Sequence, residues 1–399
     1  MRELAPAERA AVGLLASACG GGDVPEIPRE LWPEVLRELK AHTVQGLVAD
    51  RVGELGLSDD QLDGYLGVAM TQVGRWHRLM GAQEKVLGMF REAGIPVAIL
   101  KGAGAAASYP YPDRRAMGDV DLLVRPCDFE RAYGMLEADG WECKVPLEQY
   151  GRHAGMFKKG FPEVELHQYF SMNPRVPSNR ALDDLLYDAV DRASLVDVGG
   201  YDVPLFPTLE NGIVLLEHIN HHLSNGLGLR QIIDWHFYVE RHLDDALWEG
   251  GFRDAARAAG LERLAVTSAA LCKRHLGLER NAQWFAEADL DLVDELLAYV
   301  VDQGNFGKKT EHDTRATKIV LRNLRSPAAL VKYLYAGGKA HWAPARRHKW
   351  LAPAACLYQV GHVARKGLAR QAPLESLAEE SRQSREETAF LRRLGVLRD

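Results

Sequence analysis

Apolar residues recur at helical spacing through residues 1 to 93, interrupted at Gly20, Gly21 and Gly22 and again near Pro25 and Pro28. Between Arg75 and Gly94 the apolar positions Leu79, Met80, Val86, Leu87 and Phe90 line one stripe, which predicts a helix with a single buried face. Gly94 is placed to end it. The pattern then changes. Residues 95 to 101 read as a strand, the small-residue run after Gly102 as a tight turn and short helix, and residues 119 to 124 as a second strand. That second strand carries Asp119 and Asp121 in otherwise apolar surroundings. Alternation turns both carboxylates to one face, with Cβ atoms about 6–7 Å apart.

Further along, Asp128 is an N-cap candidate for a helix from Phe129 to Ala138, ended by Gly140 and Trp141. Glu142 to Val145 reads as a short strand. Residues 153 to 158 and 164 to 168 read as a hairpin around Lys159, Gly160, Phe161 and Pro162. Residues 180 to 206 combine a short helix with a hairpin-like stretch from Gly199 to Phe206, and helical spacing returns from Pro207. The organisation predicted is an N-terminal helical region at 1–93, a mixed core at 94–206, and a C-terminal helical region at 207–399. No internal repeat or low-complexity tract appears.

Composition refines this only in places. With 399 residues, 47% hydrophobic and 26% charged, the chain has the profile of a soluble globular protein of two or three domains. Its five cysteines are scattered without a CxxC pair, which argues against a disulfide framework or a zinc ribbon. The N-terminus has no signal-peptide pattern and no run of 18 apolar residues occurs, so a cytoplasmic location without stable membrane insertion is expected. The net charge of −6 hides an asymmetry: no Asp or Glu lies between Thr314 and Leu374, while twelve Lys and Arg do. This basic segment, 314–374, is interleaved with Tyr333, Tyr335, Trp342, Trp350 and Tyr358. It suits RNA, a phosphorylated acceptor, a membrane surface, or simply solvated helix faces.

The chemistry concentrates around the two aspartates. Glu165 is another single charge in an apolar strand, and a lone buried carboxylate is costly unless paired or bound to metal. Three carboxylates on neighbouring strands can converge on one or two divalent cations about 4 Å apart. The bland alternative has Asp119 capping a turn, Asp121 paired with Arg115 or Arg125, and Glu165 facing water. Lys101-Gly102 ends a strand before a helix N-terminus, where backbone N–H groups and a point charge can meet phosphate, although GxxxxGK[ST] is absent. Arg114 and Arg115 precede the carboxylate strand and can reach phosphate oxygens; Arg115 is favoured. His218, His221 and His222 cluster on one helix, with Arg230 and Asp234 downstream. Zinc is chemically compatible with them, but HExxH is absent and helix packing explains them more simply. Arg230 and Asp234 either line a nucleotide or acceptor pocket or pair with each other.

The combination of Leu-Lys101-Gly102, then Tyr-Pro and Arg-x-Met-Gly-Asp119-x-Asp121-Leu-Leu-Val, then Val-Glu165-Leu-His resembles the DNA polymerase β-type nucleotidyltransferase superfamily. It is most similar to the branch called the uncharacterised nucleotidyltransferase family, over roughly Leu47 to Asp234. The resemblance implies an α/β (α+β) fold in which a small mixed sheet is flanked by N- and C-terminal helical regions. It implies Asp119 and Asp121 as catalytic Mg²⁺ (or Mn²⁺) ligands, with Glu165 as the third catalytic carboxylate, a metal ligand and candidate base. It puts Lys101-Gly102 where the superfamily has Gly-Ser at the triphosphate, Arg115 at the position that reaches phosphate, and Arg230 and Asp234 as walls of the acceptor or nucleotide pocket. The activity implied is transfer of a nucleoside monophosphate from an NTP such as ATP to an acceptor that is a small molecule, peptide, protein or RNA. The competing expectation is a nucleotide- or RNA-binding protein that keeps the fold without catalysis.

Overall fold

The computed structural model describes residues 3–144, 152–171, 176–223, 226–305, 327–342, 344–345, 348–368 and 374–396. The chain divides into two compact units, Met1–Lys309 and Thr310–Asp399.

In the first unit, helices Pro6–Gly20 and Trp32–Ala41 precede a 34-residue helix, Asp59–Glu92. Ser58 starts the long helix with a capping box, its side chain accepting from Gln61 N while Gln61 reaches back. The predicted stripe Leu79, Met80, Val86, Leu87 and Phe90 is buried, and Gly94 follows with φ 65°. These side chains cover one face of a five-stranded sheet built from β1 (Val97–Ile99), β2 (Val120–Val124), β3 (Glu142–Cys143), β4 (His153–Phe157) and β5 (Val164–His167). Its order is β1-β2-β5-β4-β3. Only β2 and β5 run parallel; the other pairs are antiparallel. The mixed α/β class and the hairpin across residues 158–163 are therefore as expected. Val145 of the expected third strand, and seven of the twelve basic positions in 314–374 (Arg315, Lys318, Arg322, Arg325, Arg346, Arg347 and Arg370), lie outside the described residues.

Register decides which face does what. Val120 pairs with Val164, and Leu122 with Leu166, which in turn faces Ala154; all five side chains enter the core beneath the long helix and helix Phe129–Ala138. The intervening positions Asp121, Glu165, His167 and His153 therefore occupy the opposite face. Helix Phe129–Ala138 departs from its expected cap. Asp128 makes no side-chain cap bond and instead accepts from Arg125 Nε at 2.8 Å. A charged partner three residues away outcompetes a neutral backbone donor.

After helix Pro177–Val190 and the ribbon β6 (Ser194–Asp197) with β7 (Asp202–Leu205), the chain enters helices Thr208–Leu223 and Leu229–Arg241, then Glu262–His275 and Leu290–Gln303. The second unit contains helices Pro327–His341, Ala352–Leu368 and Leu374–Arg393. The first two pack closely because Gly338 leaves no side chain between its backbone and Ala355, where a Cβ would stand 2.2 Å from the Ala355 carbonyl oxygen. Among the described residues no helix is long and apolar enough to cross a membrane.

Candidate active site

Strand pairing brings the three carboxylates together. Asp121 and Glu165 are direct partners across β2 and β5, and Asp119 lies two residues before Asp121, just ahead of β2. One carboxylate oxygen from each falls within 4.8 Å of the other two. Asp121 is 2% exposed, and its Oδ2 has no hydrogen-bond partner. Its Oδ1 is 3.1 Å from Lys101 Nζ, which also stands 3.6 Å from Asp119 Oδ2. Neither Arg115 nor Arg125 pairs with Asp121; Arg125 is held by Asp128 and Asp191.

Lys101 follows β1, and Leu100 N donates to Asp121 O, so the lysine is delivered to the end of the carboxylate strand. Gly102 next to it has φ 62° and ψ −107°, a conformation that side chains disfavour. A Cβ there would approach Met117 Cε at 3.1 Å. The helix it opens, Ala103–Ala106, is a single turn, so the aligned peptide dipoles at its N-terminus are few.

The electrostatics reflect crowded like charges. Burial pushes the Glu163 carboxyl up, and Glu165, Asp119 and Asp121 push it further. Burial also opposes charge on Glu165, but a hydrogen bond from His167, the His167 charge and Lys101 outweigh it and hold the carboxyl at about 2. Burial disfavours the Lys101 ammonium, yet Asp121, Asp119 and Glu165 more than compensate and raise its pKa.

Two side chains whose part in the site composition and spacing did not reveal are His153 and His167. His167 Nε2 is 3.2 Å from Glu165 Oε2 and 3.3 Å from Asp121 Oδ1. His153 stands directly opposite His167 in the β4–β5 pair. The spacing Glu165-Leu-His167, two residues apart on a strand like the aspartates, was the signal that could have found His167.

Arg115, expected near phosphate, is buried and paired with Asp234: Nε to Oδ1 at 2.6 Å and Nη2 to Oδ2 at 2.7 Å. Tyr109 donates to the same Oδ1 at 2.6 Å. Asp234 is thus partnered by Arg115. Arg230 instead donates through Nη1 to the Ala116 carbonyl at 3.0 Å, and its buried Nε has no partner. Arg115 Nη1 donates to that same carbonyl at 3.3 Å. Two guanidinium groups from different elements therefore grip the backbone three residues before Asp119.

His218 and His222 pack edge to face, centroids 4.7 Å apart. Burial lowers the pKa of His218 far below normal, helped by His222 and Lys101. His221 is held at about 4 by burial, then by Arg152 and Lys101, while Glu165 opposes the shift. The histidine helix thus shares its electrostatic surroundings with the carboxylates.

No curated protein sequence matches the chain. The family described as uncharacterised nucleotidyltransferase matches residues 28–277, a span holding the carboxylates, Lys101, both strand histidines and the Arg115–Asp234 pair, and the chain belongs to that family.

Proposed function

We propose that the protein is a divalent-metal-dependent nucleotidyltransferase that moves a nucleoside monophosphate from an NTP to an acceptor hydroxyl or comparable oxygen. The observation that carries this reading is the convergence of Asp119, Asp121 and Glu165, with the buried Asp121 Oδ2 left without a partner. Such an oxygen costs roughly 1–3 kcal/mol unless something occupies it. A hard, oxygen-seeking cation such as Mg²⁺ or Mn²⁺ fits this all-carboxylate donor set. The Glu163 carboxyl, pushed up by burial and then by the charges of Glu165, Asp119 and Asp121, points the same way.

In this reading Asp119, Asp121 and Glu165 hold the cations. A cation held by these carboxylates would lower the acceptor's pKa and offset the charge of the departing pyrophosphate. The acceptor oxygen bonds to the α-phosphorus, the bond from that phosphorus to the pyrophosphate oxygen breaks, and the acceptor's proton leaves to solvent or a carboxylate. Lys101 adds positive charge beside the carboxylates, and the unpartnered Arg230 Nε offers a donor to a phosphate oxygen. Arg115 and Asp234 act as a brace: by gripping Ala116 together with Arg230, Arg115 holds the approach to Asp119 in place.

The test supplies each of the four NTPs, labelled on the α-phosphate, with Mg²⁺ or Mn²⁺ and a panel of acceptors, and reads label transfer and pyrophosphate release. Asp119→Ala and Asp121→Ala are expected to lower transfer by about 10²–10³-fold, the scale lost with a charge-stabilising group. If both variants keep the parent's metal-dependent NTP binding and transfer, the assignment of the site fails.

A further inference from the structure

A second group of donors converges on the same face of the sheet. His153, Glu165 and His167 each bring one ligand-type atom within 4.8 Å of the others. The two imidazole rings lie nearly parallel, with centroids 4.7 Å apart and an interplanar angle of 25°. Both Nε2 atoms approach the Glu165 carboxylate, His153 at 3.9 Å from Oε1 and His167 at 3.2 Å from Oε2. Asp121 Oδ1 stands 3.3 Å from His167 Nε2. Separations of about 3–4 Å are what donors span when each is bonded at about 2.0–2.2 Å to one cation.

Two features argue that this is more than a closed hydrogen-bond network. First, a polar atom is left over at the edge of the group: Asp121 Oδ2 is buried without a partner, and Asp121 and His167 are each at least 98% shielded. Second, the donor types differ from those of the neighbouring group. Asp119, Asp121 and Glu165 offer oxygen only, which suits Mg²⁺, whereas two imidazoles with a carboxylate suit Mn²⁺, Fe²⁺, Co²⁺ or Zn²⁺. We propose that His153, Glu165 and His167, with Asp121 at their edge, form a binding site for a first-row transition-metal dication, next to the all-carboxylate group and sharing Glu165 with it. The two positions then differ in metal preference. The inference concerns metal binding and stands whether or not the neighbouring group supports nucleotidyl transfer.

The probe is Co²⁺ titrated into the chelator-treated full-length protein, read by visible d–d absorption and by calorimetry, with Zn²⁺ and Mg²⁺ as competitors. One saturable site is expected, with Zn²⁺ displacing Co²⁺ and Mg²⁺ doing so poorly. His153→Ala and His167→Gln should each weaken Co²⁺ binding at least about tenfold, the lower range for disturbing a ligand shell. His153→Gln serves as a milder second variant, and circular dichroism checks that each variant is folded. Asp119→Asn should leave the Co²⁺ spectrum in place, which separates this site from the carboxylate group. A parent without a Co²⁺ spectrum, or folded His153 variants that bind Co²⁺ within about twofold of the parent, overturns the proposal. A protein that shows the Co²⁺ site but transfers no nucleotide removes the transferase reading and leaves this one standing.

Discussion

At the scale of single residues, burial rather than residue type sets the chemistry. Asp121, Glu165 and Glu217 are all carboxylates, yet their surroundings differ sharply. Glu217, on the histidine helix, is pushed up to about 7 by burial, against the lowering effects of its Asn220 hydrogen bond and Arg152. A carboxyl raised in the folded state holds its proton there while the unfolded chain has already lost it. Between about pH 4.5 and pH 7 the folded state therefore binds more protons, and stability falls as pH rises through that window. Glu217→Gln keeps the shape and removes the titration. It is expected to flatten this slope and to exceed the parent by up to about 3 kcal/mol above pH 7. Urea denaturation of both proteins at about pH 5 and about pH 8 checks the sign; an equal difference at the two values would mean that Glu217 titrates normally in the fold.

At the scale of elements, what was legible in the sequence is what neighbouring residues determine. The stripe from Leu79 to Phe90, the alternation through Asp119 and Asp121, and the β4–β5 hairpin all follow from periods of 3.6 and 2. The partnership of Arg115 with Asp234 does not, because 119 residues separate them and no local spacing encodes it. The same holds for His153 against His167: each strand was readable, but the role of the pair depends on register. The Arg115–Asp234 bridge ties the segment ahead of β2 to helix Leu229–Arg241. Both side chains are 1% exposed, and burial opposes the guanidinium charge until Asp234 outweighs it. Removing one partner leaves a buried charge alone, so Arg115→Ala should cost about 3–5 kcal/mol. Arg115→Met combined with Asp234→Leu should recover much of that loss, since it removes both charges at similar volume. Denaturant midpoints of the single and double variants decide it, and a double variant no more stable than Arg115→Ala would assign the bridge a packing role instead.

At the scale of the molecule, every residue in the two metal-binding proposals lies between Lys101 and Asp234, inside the unit Met1–Lys309. That unit also contains the whole sheet, the core beneath it and the family match at 28–277. A unit with its own core and its own site meets the requirements for independent folding. A chain ending at Lys309 is therefore expected to unfold in one cooperative transition and to keep the parent's Co²⁺ and NTP affinities within about twofold, because every proposed ligand belongs to that unit. The basic segment makes the complementary test. If its lysines and arginines draw in a phosphorylated or polymeric acceptor, the shortened chain should bind metal and NTP normally while losing salt-sensitive acceptor capture. Calorimetry with Co²⁺ and NTP, alongside acceptor binding at low and high salt, separates these cases. Loss of metal or nucleotide binding in the shortened, folded chain would mean that residues beyond 309 support the site itself, and the division of labour proposed here would be wrong.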